Sequence, residues 1–153
     1  MEMEDNYVKL AKKSVQKAVT GREPEGIDEL KDSLPDKSRG VFVTLRKPNG
    51  KLRGCIGTYT PVTSTIAEEI MRNASSASLE DPRFSPVKPE ELGEITISVD
   101  VLSQPEVCDR DDLNPDKYGI ILEKGSRSGL LLPDLDGIDS VEEQLEVAKN
   151  KSG

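Results

Sequence analysis

The sequence predicts an α+β fold, with an antiparallel sheet and helices packed on it. Helix-period and strand-period segments alternate along the chain, but in no regular strand–helix–strand order. Two pairs of strand-like segments are joined by short turns, and strands joined in this way pair antiparallel. The 153 residues are enough for a domain with its own hydrophobic core.

Two helices are predicted at the beginning of the chain. Apolar residues recur at helical spacing from Tyr7 to Val19, with Asn6 as the predicted cap and Gly21 as the predicted end. A second, shorter helix is predicted near Asp28–Leu34, where Pro35 ends it.

A hairpin and a helix are predicted next. Gly40–Arg46 is rich in β-branched and aromatic residues, and Lys51–Tyr59 is predicted to return beside it. The turn between them, Lys47-Pro48-Asn49-Gly50, has residues suited to a tight reversal. A helix follows over about Thr63–Ser78, and Thr65 to Glu68 fits a capping box.

The rest of the chain completes the predicted sheet and helices. Asp81-Pro82 breaks the preceding helix, and Glu94–Leu102 alternates between apolar and polar residues as a strand does. Tyr118–Glu123 and Arg127–Leu132 predict a second hairpin. Ser140 is predicted to cap the last helix.

The composition excludes several kinds of site. There is no histidine, which removes Cys–His and Ser–His nucleophile pairs and Cys₂His₂ zinc sites. Two cysteines, Cys55 and Cys108, and no apparent ligand cluster predict no metal site, and no cofactor follows from the residues. Residues 1–5 are acidic without an apolar run, so we expect no signal peptide and a cytoplasmic protein with reduced thiols.

The distribution of charge singles out one segment. The net charge of −8 and the few aromatic residues disfavour nucleic-acid binding, and no apolar run is long enough to cross a membrane. Residues 40–72 nevertheless carry five cations against two anions, with no acid between Asp36 and Glu68. This segment is interpreted either as an anion-binding surface or as a hairpin that neutralises acidic neighbours in the fold.

Cys55 lies inside that positive segment and is the candidate nucleophile. If Leu52–Gly57 is a regular strand, its alternation puts Lys51, Arg53 and Cys55 on one face. Nearby cations favour the thiolate, and the glycines Gly54 and Gly57 leave room for the close approach of a ligand. The alternative is that Cys55 is a small buried residue that fills a gap in the core.

Two further segments supply candidate site residues. In Asp81-Pro82-Arg83-Phe84, Asp81 is a candidate acid or base and Arg83 a candidate anion-binding group. The alternative is a helix-ending corner, with Phe84 in the core and Asp81 paired locally. Ser128, on the second hairpin, is a weaker binding candidate.

Several of these segments together resemble the AMMECR-type domain family. The resemblance is carried by the hexapeptide Leu52–Gly57, by Asp81–Phe84 and by three strand segments: Gly40–Leu45, Ile97–Leu102 and Ser128–Pro133 with Gly119–Ile121 before it. The matches occur in order over almost the whole chain, and the hexapeptide Leu-Arg-Gly-Cys-Ile-Gly is the hallmark of the family. On this resemblance residues 1–153 are one AMMECR-type domain.

The resemblance implies an architecture and partners but no settled reaction. It implies a larger and a smaller lobe around a cleft lined by the hexapeptide. It also implies that Memo-like and radical-SAM proteins act with this protein in a modification pathway. Family members usually continue with a further strand after the last helix, so this chain, which stops at Gly153, is expected to lack that strand.

Two hypotheses of different kinds follow for the function. The first is an enzyme or a protein that binds a small anionic molecule, with Cys55 as nucleophile and Arg53, Lys51 and Arg83 as anion-binding groups. The second is a non-catalytic interaction module whose basic hairpin docks an acidic partner. Of the two, the first makes use of the thiol and the bare glycine backbone, which docking alone does not need.

Overall fold

A three-stranded antiparallel sheet forms the centre of the first of two compact units. The structure, a computed structural model, describes residues 5–133, 135 and 137–152. Residues 1–4, which make up most of the acidic segment 1–5 from which the absence of a signal peptide was predicted, and Gly153 lie outside the described residues. The first unit ends at Gln104 and the second begins at Pro105.

Helices and antiparallel strands are both present, so the predicted α+β class is confirmed. The helices and strands of the first unit are α1 (Asn6–Thr20), α2 (Ile27–Ser33), β1 (Val41–Arg46), β2 (Leu52–Thr58), α3 (Ile66–Leu79) and β3 (Thr96–Val101). Those of the second unit are β4 (Ile120–Lys124), β5 (Arg127–Leu131) and α4 (Val141–Ser152). Single 3₁₀ turns cover Pro89–Glu91 and Arg110–Asp112.

The sheet of the first unit has the strand order β2-β1-β3. The predicted strand over Gly40–Arg46 is present as β1, and Val41, Val43 and Leu45 are fully buried on one face. Helices α1 and α3 pack against this face, and Leu10, Val15, Ile66 and Ile70 complete the centre of the core. The opposite face of the sheet therefore carries Phe42, Thr44 and Arg46 from β1, and we call it the outer face.

The predicted helix ends are partly correct. Gly21 ends α1 in the left-handed conformation (φ 73°), as predicted. Asn6 was the wrong cap, because the Asp5 carboxylate accepts the hydrogen bond from the Val8 N–H at the start of α1. Thr65 caps α3 as predicted, although the helix begins at Ile66 and not near Thr63.

The second unit is an antiparallel hairpin of β4 and β5 with α4 packed on it. Gly129 allows the contact between β5 and α4, since a Cβ there would clash with the Ala148 carbonyl oxygen. Ser140 caps α4 as predicted, by accepting a hydrogen bond from the Glu143 N–H. Within α4, Gln144 is fully buried and donates to the Tyr118 carbonyl.

Across the described residues, no helix combines the length and the apolar character that crossing a membrane requires.

Candidate functional site

Asp81 and Arg83 close the free edge of strand β2 at Cys55. The Cys55 N–H donates to Asp81 Oδ2 at 3.0 Å, and Arg83 Nη2 donates to the Cys55 carbonyl at 3.2 Å. Since β2 is an edge strand, these main-chain groups point away from β1. The two side chains thus replace the partner strand that would otherwise pair with the hallmark hexapeptide.

Asp81 is buried, with only 4% of the residue exposed. Its carboxylate is well supplied with hydrogen-bond donors. Besides the Cys55 N–H, it accepts from Arg83 Nε at 3.0 Å, from Arg83 Nη2 at 2.8 Å and from the Arg83 N–H at 3.1 Å. The Arg83 guanidinium holds the pKa of Asp81 well below its ordinary value, and the Cys55 N–H adds to this effect against an opposing contribution from burial. This arrangement favours Asp81 as a fixed anion that positions its neighbours over Asp81 as an acid or base.

The side chain of Cys55 lies on the outer face of the sheet. Cys55 is half-buried, and its Sγ is 3.3 Å from Thr44 Oγ1 on the neighbouring strand β1. Thr44 lies directly opposite Cys55 in the register and is only 7% exposed. The sequence analysis did not single out Thr44, because its role depends on this register.

A β-bulge at Arg53 decides which face Cys55 occupies. Arg46 pairs with Leu52 but Leu45 pairs with Gly54, so Arg53 is the extra residue of β2. Without the extra residue, Cys55 would pair with Val43 on the buried face of the sheet. The bulge therefore turns the thiol toward the outer face.

The predicted alternation, with Lys51, Arg53 and Cys55 on one face, is wrong because of this bulge. Leu52, opposite Arg46, shares the outer face with Cys55. Lys51 precedes β2 and is exposed.

Arg53 is buried and fully engaged, with only 6% exposure. Its Nε and Nη2 donate to the two carboxylate oxygens of Glu91 at 2.9 and 3.0 Å. The same guanidinium donates to the carbonyls of Ser85 and Pro86 at 2.9 and 3.3 Å. The hydrogen bond from Arg53 lowers the pKa of Glu91 to about 2. Arg53 is therefore a structural anchor in this arrangement, and its guanidinium has little capacity left for a ligand.

Arg83 is the cation beside Cys55 that faces solvent, with 56% of its side chain exposed. Its guanidinium carbon lies 5.4 Å from the centre of the half-buried Phe84 ring, which helps to hold it in place. The hydrogen bond to Asp81 raises the pKa of Arg83 against an opposing contribution from burial. Arg83 thus presents a fixed positive charge next to the thiol.

The two glycines of the hexapeptide are occupied by contacts within the protein. A Cβ on Gly54 would clash with the Ala77 carbonyl at the end of α3, and a Cβ on Gly57 would clash with the Phe42 ring. Phe42 lies directly opposite Gly57 and covers it. Close packing explains both glycines, and their predicted role in ligand binding stays a prediction.

Two polar residues that the sequence analysis did not select lie on the outer face of β3. Ser98 lies opposite Thr44, and Asp100 lies opposite Phe42. Burial raises the pKa of Asp100. A row of Cys55, Thr44 and Ser98 thus crosses the three strands, and the only signal for it in the sequence was the alternation of β3.

A buried carboxylate, Glu69, was also missed by the sequence analysis. It is fully buried in α3 and accepts hydrogen bonds from the Thr58 and Thr63 hydroxyls and from the Val62 and Thr63 N–H groups. Burial raises the pKa of Glu69, but these hydrogen bonds outweigh it and the net shift is downward. Every donor is a main-chain or hydroxyl group that orders residues 58–63, so Glu69 is part of the framework of the fold.

Ser128 is an exposed residue of β5 in the second unit, and its binding role stays a prediction. The cleft that the resemblance implies also stays a prediction. Among the residues that the structure describes, no three Cys, Asp or Glu side chains are grouped so that they could hold a metal ion.

Comparison with known proteins identifies the family. The sequence model of the AMMECR1 family matches residues 8–153. The chain belongs to the AMMECR1 family. The resemblance carried by the hexapeptide and the accompanying segments is thereby confirmed.

Relatives of this AMMECR1-family chain occur in bacteria and archaea. It is 49% identical over 152 residues to a Thermotoga maritima protein, covering 98% of this chain and 87% of the relative. It is 53% identical over 150 residues to a Clostridium acetobutylicum protein, covering 97% of this chain but only 32% of that longer protein. The chain therefore spans about a third of the Clostridium relative.

The fold is shared with a solved structure. The crystal structure of the uncharacterised protein PH0010 from Pyrococcus horikoshii matches with a TM-score of 0.83 at 33% identity. The match covers 100% of this chain and 83% of that one. These comparisons establish the family and the fold of the AMMECR1 chain and leave its reaction open.

Proposed function

We propose that this AMMECR1-family protein binds a small anionic molecule at the outer face of the β2-β1-β3 sheet, as a cytosolic enzyme or binding protein. Cys55 is the nucleophile or the recognising thiol, and Arg83 holds the anion. The observation that carries the proposal is the bulge-directed sulfur of Cys55 beside the exposed, clamped guanidinium of Arg83.

The residue roles in this proposal differ from those predicted from the sequence. Arg83 takes the anion-binding role proposed for Arg53, because the Arg53 guanidinium is already bonded to Glu91 and two carbonyls. Asp81 positions Arg83 and the main chain of Cys55. A guanidinium held at two points loses less conformational entropy on binding a carboxylate or phosphate than a free one does.

The proposal predicts that Cys55 prefers an anionic alkylating agent. Iodoacetate and iodoacetamide are matched reagents that differ in charge, and the exposed Cys108 is an internal reference in the same molecule. We expect the ratio of the iodoacetate rate to the iodoacetamide rate to be about fivefold higher at Cys55 than at Cys108, because Arg83 attracts the carboxylate. The two rates are measured for each cysteine by mass spectrometry of peptides from the native protein.

Arg83→Gln is the matched variant, since it removes the charge and keeps a donor for the Cys55 carbonyl. It is expected to bring the Cys55 ratio down to that of Cys108. If Cys55 reacts only after unfolding, or has the same ratio as Cys108 in the original protein, the proposed function is wrong.

The interaction module is a second candidate because the end of the β1–β2 hairpin exposes cations. Arg46, Lys47 and Lys51 are exposed, and within the described part of the chain no carboxylate forms an ion pair with them. An acidic protein that leaves three cations together is suited to dock an acidic surface. The Memo-like and radical-SAM proteins that the family resemblance implies are the partners proposed for this role.

This candidate predicts that the hairpin lysines control binding to an acidic polymer. With polyglutamate as the probe at low salt, Lys47→Glu with Lys51→Glu is expected to weaken binding by about tenfold. The control, Lys9→Glu with Lys149→Glu, makes the same change in net charge at exposed positions elsewhere. Equal loss in both double variants would exclude a specific role of the hairpin.

A further inference from the structure

Among the described residues, the hydroxyl of Thr44 has one hydrogen-bond partner, the sulfur of Cys55. Only 7% of Thr44 is exposed, and its Oγ1 is 3.3 Å from Cys55 Sγ. Within the described residues, no other group forms a hydrogen bond with this hydroxyl. A buried hydroxyl with a single partner directs its hydrogen bond to that partner.

The contact has a direction that depends on the state of the sulfur. A thiol can donate its proton to Thr44 Oγ1, whereas a thiolate can only accept the hydroxyl proton. In either direction the bond joins the same two atoms, which are 3.3 Å apart. The hydroxyl also fixes where the sulfur lies on the outer face.

The position of Thr44 is set by the framework and not by the thiol. Its main chain is in the central strand β1, between β2 and β3, and its side chain faces outward between Cys55 and Ser98. A central strand cannot shift without breaking two ladders of hydrogen bonds. The hydroxyl is therefore held in place before any ligand arrives.

We infer that Thr44 is a positioning residue that orients the Cys55 sulfur on the outer face. This inference deepens the proposed function and rests on it, because it names the group that prepares the thiol. It adds a residue of β1, a strand in which the sequence predicted no site residue. Thr44 itself is not a catalytic residue, since it acts through Cys55.

The test compares Thr44→Val, which removes the hydroxyl at nearly constant shape, with Thr44→Ser, which keeps the hydroxyl and removes a methyl group. The readout is the iodoacetamide rate of Cys55 divided by that of Cys108, measured from pH 6 to pH 9. Thr44→Val is expected to lower this ratio by about five- to tenfold near pH 7, because the sulfur loses the hydrogen bond that holds it in place. Thr44→Ser is expected to stay within about twofold of the original protein.

Ser98→Ala is the matched control, because Ser98 is a hydroxyl on the same face, opposite Thr44, that does not contact the sulfur. It is expected to leave the ratio and the pH profile unchanged. An equal fall in Ser98→Ala would overturn the inference, because the general polarity of the face would then be responsible. A fall in Thr44→Ser as large as that in Thr44→Val would also overturn it, because packing would then explain both.

The experiment separates this inference from the proposed function. If Cys55 in the original protein keeps its preference for iodoacetate while Thr44→Val changes nothing, the role of Thr44 is wrong and the proposed site stands. If Cys55 shows no preference for iodoacetate, or does not react in the native protein, the proposed site itself is wrong.

Discussion

Replacing Arg53 with alanine is expected to lower the free energy of unfolding by about 3 kcal/mol. The guanidinium is 6% exposed and supplies hydrogen bonds to Glu91 and to the carbonyls of Ser85 and Pro86. The alanine variant leaves these acceptors without their donor and opens a space beside the bulge of β2. Urea unfolding followed by circular dichroism measures the change.

Two further variants test whether the loss of unfolding free energy in Arg53→Ala comes from the hydrogen bonds of the guanidinium. Lys51→Ala, at an exposed position two residues earlier, is expected to change the free energy of unfolding by less than about 0.5 kcal/mol. Arg53→Lys keeps the charge but cannot form both bonds to Glu91, and is expected to lie between the two. If Arg53→Ala is as stable as Lys51→Ala, Arg53 is not the anchor, and its role as a ligand-binding group becomes the better interpretation.

The turns and helix ends could be predicted from the sequence, because neighbouring residues determine them. The Lys47–Gly50 turn places its glycine at φ 83°, a conformation that glycine adopts readily, and the strands on both sides follow from it. Gly21 ends α1 for the same reason. The cap of α1 was misplaced by one residue because Asp5 and Asn6 are both good caps and lie next to each other.

The bulge at Arg53 was beyond the sequence because its cause is distant along the chain. Arg53 lies 38 residues from Glu91, which binds its guanidinium. Within the hexapeptide, Gly54 is a local signal for a bulge, since an isolated glycine in a strand often marks one, but it does not show which residue is added to the ladder. The alternation pattern therefore put Leu52 and Cys55 on opposite faces, whereas the bulge places both on the outer face.

The candidate site was predicted by composition but not by geometry. The positive segment predicted Cys55 as a site residue, and the tetrapeptide Asp81–Phe84 predicted Asp81 and Arg83. The structure brings these three residues together. Their mutual roles depend on contacts over 26 and 28 residues along the chain. Thr44 depends on the register, which the bulge shifts by one residue, so a regular hairpin would have given Cys55 a different neighbour.

Asp81→Asn is expected to lower the free energy of unfolding by about 2–3 kcal/mol at pH 7, because a buried carboxylate that accepts four hydrogen bonds loses its charge. The amide group of asparagine also places a donor where Cys55 and Arg83 donate. Asp36→Asn, at an exposed position, is the control and is expected to change the free energy of unfolding by less than about 0.5 kcal/mol.

The effect of Asp81→Asn is expected to depend on pH with a definite sign. The Arg83 guanidinium keeps the pKa of Asp81 in the folded protein below the ordinary value of 3.8. The unfolded chain therefore binds a proton at higher pH than the folded protein does, and this carboxylate stabilises the fold fully above pH 3.8. Its contribution is lost as the pH falls below 3.8 through the lower pKa of the folded state. The difference in unfolding free energy between the original protein and Asp81→Asn should accordingly be constant from pH 5 to pH 7 and shrink in acid. A difference that stays constant down to pH 2 would show that Asp81 acts through its shape, and the Arg83–Asp81 clamp would then not account for the position of the cation beside Cys55.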